Sequence, residues 1–136
     1  ETRWKKIMLV NGIPQYLQNL TNAKVDLTTT NNTTLYTVPS DADFNASIIN
    51  SILVCEDSGN ADTISITITN GSDVFNIFKV KAVGANATVE LLTRDLILQS
   101  GEILKVQAAT ANRLHVIASI QEFAKTRITT SALSAI

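Results

Sequence analysis

One imidazole and one thiol are the whole stock of strongly reactive side chains in these 136 residues. Nucleophilic catalysis needs a nucleophile, a base within hydrogen-bond reach and a group that orients the base. His115 lies in an alternating run, Leu114-His115-Val116-Ile117-Ala118, with no nucleophile signature around it, and reads as a structural or solvent-facing histidine. Cys55 follows Ile52-Leu53-Val54 and reads as a small buried hydrophobe. Paired carboxylates can do acid–base work. The nearest pairs, Glu56-Asp57 and Asp41 with Asp43, fall among turn residues, where acids bond the local backbone. Asp41-Ala42-Asp43-Phe44-Asn45 opens like a calcium loop, but Ala46 stands where that loop needs Gly and Ile52 where it needs Glu. Glu56, Asp57, Asn60 and Asp62 are the remaining candidates for a hard cation. One Cys and one His do not make a zinc site. The isolated glycines mark turns and form no phosphate loop. The expectation is a chain without catalytic residues, metal or cofactor.

Composition agrees with packing as the chain's work. A chain of this length fits one domain and has a hydrophobic content of 45%, enough for a globular core. Eleven basic residues against twelve acidic ones give a net charge of -1, so no broad basic surface faces nucleic acid or anionic lipid. The local cluster Arg3, Lys5 and Lys6 around Trp4 reads as a solvated terminus. No apolar run approaches the length of a membrane span. A single cysteine forbids an internal disulfide, which leaves stability to the core or to association. Thr and Asn together make up roughly a fifth of the residues. Thr suits strands through its branched Cβ, and Asn suits turns.

The elements that must position these residues are strands. Thr63-Ile64-Ser65-Ile66-Thr67-Ile68-Thr69 alternates strictly, so Ile64, Ile66 and Ile68 share one face and the hydroxyls the other. Eight strands are expected in the body: 35–38, 47–55, 63–69, 74–81, 88–92, 96–98, 103–108 and 114–120, separated by polar turns. Short strands at this spacing predict a single antiparallel β-sandwich of jelly-roll type over residues 29–122. Apart from Asn50 and Ser51, residues 48–54 are apolar on both faces, which predicts a central strand or one covered by another chain. Residues 1–28 read as an N-terminal arm. Within it, Ile7-Met8-Leu9-Val10, Asn11-Gly12 and Ile13-Pro14-Gln15-Tyr16-Leu17 predict a hairpin. Pro14 confines its second strand to an edge. Such a hairpin is marginal alone and needs a surface to lie on. Residues 123–136 read as a C-terminal tail.

The order Leu35-Tyr36-Thr37-Val38-Pro39, Ile48 to Cys55, Leu96-Ile97-Leu98-Gln99-Ser100-Gly101-Glu102-Ile103-Leu104-Lys105-Val106 and Ile117 to Glu122 resembles small β-sandwich virion proteins of tailed bacteriophages. The resemblance covers residues 34–122 and leaves out the arm and tail. It implies a non-enzymatic virion component, on the capsid surface as decoration or on the neck, tail or baseplate. It also implies a trimer or larger ring that binds itself and other virion proteins, with no nucleic acid and no membrane partner. The arm residues Trp4, Met8, Tyr16 and Leu17 are the expected interface anchors, because aromatic and Met side chains concentrate at interface cores. The competing expectation is a carbohydrate- or receptor-binding module of a fibre or adhesin. The scarcity of aromatics, with Trp4, Tyr16 and Tyr36 the main candidates, argues against it.

Overall fold

The computed structural model describes residues 8–10, 13–40 and 44–124, and in these it contains strands and no helix. The ten strands are β1 (Met8–Val10), β2 (Ile13–Asp26), β3 (Thr33–Thr37), β4 (Phe44–Glu56), β5 (Asp62–Asn70), β6 (Asp73–Val83), β7 (Thr88–Glu90), β8 (Leu96–Gln99), β9 (Ile103–Ala108) and β10 (Leu114–Ala124). One sheet runs β1-β2-β10-β4-β7, with β8 also on β4, and the other runs β3-β9-β5-β6. Every pairing is antiparallel. From β2 to β5 the chain changes sheet at each step. It then forms the β5–β6 hairpin, crosses to β7 and β8, returns to β9 and ends in β10. That winding is a jelly roll, as the alternation and turn spacing predict.

The alternating runs face each other across the sandwich. Ile64 and Ile66 of β5, Leu104, Val106 and Ala108 of β9, and Leu114, Val116, Ala118 and Ile120 of β10 are buried in one cluster. Ile49, Ile52 and Val54 of β4 and Leu98 of β8 join them. The strand apolar on both faces is central: β4 lies between β10 and the β7–β8 pair. Its outward side chains Ile48 and Leu53 remain partly uncovered, with Leu53 39% exposed.

Two features depart from the expectation. Cys55 is not a buried hydrophobe. Its partner His115 is on the outward face, and it is the next residue, Glu56, that is fully buried. A bulge explains this. Ser51 pairs with Ser119 and Ile49 with Ile120, so Asn50 is the extra residue and side-chain parity flips after it. The second departure is the arm. Val10 pairs with Ile13, so the hairpin forms, and Pro14 pairs only with β1. Beyond it β2 runs on for the rest of its 14 residues. From Tyr16 to Asp26 it lies along β10, and Leu27 enters the core. These residues belong to the sandwich as its edge strand.

Candidate functional site

His115 is the natural place to look for chemistry. It stands half-exposed in an open, shallow concavity with Lys24, Asp26 and Ile117. Its Nε2 lies 3.3 Å from Asp26 Oδ1 and 3.6 Å from Asp57 Oδ2, and Cys55 is its cross-strand neighbour. A catalytic histidine works through one ring nitrogen, on the nucleophile and leaving group, while a carboxylate at the other nitrogen holds the ring in place. Here both carboxylates address the same nitrogen. The cluster is an exposed contact of one imidazole nitrogen with two carboxylates, and contacts of this kind are weak in water. Among the described residues, no three His, Cys, Asp or Glu side chains gather as a metal centre requires. Asp62 accepts a hydrogen bond from the Thr110 N–H at 3.1 Å instead of turning toward Glu56, Asp57 and Asn60. Residues 41–43, with the other acid pair, lie outside the described residues.

Two carboxylates, one buried and one exposed, hold loops in place. Glu56 accepts hydrogen bonds from the N–H groups of Ser58 at 2.8 Å, Gly59 at 3.0 Å and Asn86 at 2.9 Å, and from the Ser58 hydroxyl. It thereby joins the β4–β5 loop to the β6–β7 turn, where Asn86 has a φ of 55°. Burial pushes its carboxyl upward, but these four donors outweigh burial and hold it at about 2. A folded value below the unfolded one favours folding whenever the group is ionised. That contribution is complete above about pH 5 and is lost as pH falls toward 2. The urea midpoint of the native protein should therefore drop through this window more steeply than that of Glu56→Gln; parallel curves would remove Glu56 from the account. Glu90, exposed at the end of β7, accepts from the N–H groups of Ile52 at 2.8 Å and Leu92 at 3.2 Å and so fastens β7 to β4. Alternation of residue types gives no sign of these roles, because a Glu at the end of a strand reads as part of the following turn.

What remains available is surface. Met8 lies in β1 opposite Gln15, and Tyr16 and Leu17 lie where β2 meets Ala124 and Phe123 of β10. Trp4 lies outside the described residues. Leu17 is 47% exposed and Leu20, one outward position further along β2, is 68% exposed. From Leu17 to Asp26, β2 has β10 on one side and no strand on the other among the described residues. Its backbone edge can therefore accept a strand. No protein-family model matches this chain, and no curated protein matches it. Among solved structures it is similar to two crystal structures of a pentameric capsid protein isolated from metagenomic phage sequences. Each is 17% identical over 79% of this chain, with TM-scores of 0.44 and 0.45. The chain spans 62% and 64% of the length of those two chains. It is also similar to the structure of infectious bursal disease virus, Gx strain, at 10% identity over 88% of this chain and 44% of that one, with a TM-score of 0.30. The second edge of the sandwich, β6, exposes Val74, Phe75 and Val80. Val80 has a φ of 53°, rare for a β-branched residue, in a bulge where its N–H donates to Ser65 Oγ at 3.0 Å. Tyr36, an aromatic a sugar site would need outside, turns its hydroxyl inward to Ser47 and Glu122.

Proposed function

We propose that this chain is a non-enzymatic structural protein of a tailed-bacteriophage virion. It assembles with copies of itself, as a trimer or larger ring, and with other virion proteins, on the capsid surface or at the neck or tail. The observation that carries the reading is the β1–β2 hairpin. It is apolar in sequence, and among the described residues β1 pairs with no strand except β2. An isolated two-stranded ribbon is marginal in water, so its persistence calls for a surface supplied by another subunit. The resemblance of residues 34–122 to small phage virion sandwiches supports the same reading, as does the open edge of β2. Trp4, Met8, Tyr16 and Leu17 are the arm anchors in this scheme.

The test is the solution mass of the full chain by light scattering. Removing residues 1–28 would strip β2 from β10 and Leu27 from the core, so Met8→Asp/Leu9→Asp is the suitable arm variant. The native chain should show at least three times its 14.7 kDa mass, and the variant the mass of one chain. A native chain that is monomeric at every concentration would overturn self-assembly. Hits on a glycan array from such a monomer would move the assignment to the carbohydrate-binding class.

A further inference from the structure

The outward face of the β2-β10-β4-β8 sheet carries a second apolar surface. Cross-strand register aligns Leu20 of β2, Gln121 of β10, Ile48 of β4 and Ile97 of β8 in one row. Leu17, Phe123 and Ala46 form the adjoining row on the same face, toward the end from which the hairpin projects. Leu20 and Ile97, at the two ends of the first row, are 68% and 64% exposed. No helix or strand of the described chain covers this face. The next row on this face, Asn22, Ser119 and Ser51, is polar, and beyond it Ile117 and Leu53 are again exposed. The polar row separates the Leu20–Ile97 area from Ile117 and Leu53, and that area lies beside the open β2 edge.

We propose that this patch is the seat of the β1–β2 hairpin of a second copy of the chain. The same molecule holds one apolar ribbon without a surface and one apolar surface without a cover. Among the described residues they do not pair within one chain. β2 is continuous from Ile13 to Asp26 and pairs with β10 as far as Tyr16, with one register shift between Glu122 and Phe123. The hairpin therefore extends its own sheet past the last paired residues of β10, and among the described residues β1 pairs with β2 alone. Dimensions fit a partner in trans. The row from Leu20 to Ile97 crosses three strand spacings, about 14 Å, and each hairpin strand of three residues is about 10 Å long. Donor and receiver are different surfaces, so the contact is head-to-tail. Repetition of a head-to-tail contact gives a ring when the rotation closes. This inference rests on the assembly reading above and names the surface that receives the arm.

Two full-length variants separate the parts. Leu20→Glu/Ile97→Glu alters the receiver at two solvent-exposed positions, and Met8→Asp/Leu9→Asp alters the donor. Each alone should fall at least threefold in mass, to a single chain, with an unchanged circular dichroism spectrum. Mixed in equal amounts they should recover a dimer, because the receiver variant still donates its hairpin to the intact face of the donor variant. If Leu20→Glu/Ile97→Glu lowers folding, Leu20→Ser/Ile97→Thr keeps strand-compatible residues and should weaken association in the same direction. A receiver variant with the native mass overturns the assigned face, while loss of mass in the donor variant alone leaves the assembly reading standing. Two monomeric variants that form no dimer on mixing overturn the head-to-tail contact. A monomeric native chain overturns both readings.

Discussion

Leu104→Ala should lower the stability of the folded chain by about 2–5 kcal/mol, the range for deleting a fully buried Leu side chain. Leu104 is completely buried on β9, between Tyr36 of β3 and Ile68 of β5. The inner faces of both sheets close over it, so the removed atoms leave a cavity as well as lost transfer energy. A domain of this kind is stable by only about 5–15 kcal/mol, so one such change removes a large share. Urea unfolding reads the effect as a lower midpoint with an unchanged slope. Val74→Ala is the control: it deletes part of an aliphatic side chain on β6 from a position 58% exposed and should stay within about 0.5 kcal/mol. Equal losses at the two positions would mean that the sandwich interior is not the packed layer described above.

That interior was legible in the sequence because hydrophobic alternation and strand geometry share a period of two. Ile64, Ile66 and Ile68 announce β5, and residues 103–108 coincide with β9 to the residue. Two places were not legible, each for a physical reason. The Asn50 bulge adds one residue to β4, and without it the alternation that buries Ser47 and Ile49 would also have buried Cys55. Nothing in a single chain marks where a bulge falls, since its cause is the register with β10. The Tyr16–Asp26 stretch of β2 pairs on one side only and carries Asn19, Thr21, Asn22, Lys24 and Asp26. A strand half in water has little apolar pattern to show. Of the proposed assembly surface, the apolar arm could be read directly. The row Leu20, Ile48 and Ile97 could not, because three strands distant in sequence must be set in register before it exists.

Tyr36→Phe should cost about 1–3 kcal/mol although it deletes one oxygen, because that oxygen is the hub of a polar cluster between the sheets. The Tyr36 hydroxyl donates to Glu122 Oε2 and lies 2.9 Å from Ser47 Oγ, and Asn19 Nδ2 donates to Glu122 Oε1 at 3.2 Å. Ser47 is fully buried and Glu122 nearly so, which leaves water little access to replace the lost bond. The cluster ties β2, β3, β4 and β10 together at the end of the sandwich from which the hairpin projects. Burial, and then the hydrogen bond to Glu122, push the Tyr36 hydroxyl well above the ordinary tyrosine range. The sign of the linkage follows. In the unfolded chain Tyr36 loses its proton near pH 10, while in the folded chain it keeps it. Stability is therefore fully present below pH 10 and falls above it, by up to about 1.4 kcal/mol for each pH unit. Tyr36→Phe should remove that alkaline loss while lowering stability at neutral pH. A variant that matches the native chain at pH 7 and still shows the same alkaline loss would place the hub elsewhere. Glu122→Gln in a double-mutant cycle with Tyr36→Phe then measures the coupling, which for a contacting pair in one network should reach about 0.5–3 kcal/mol.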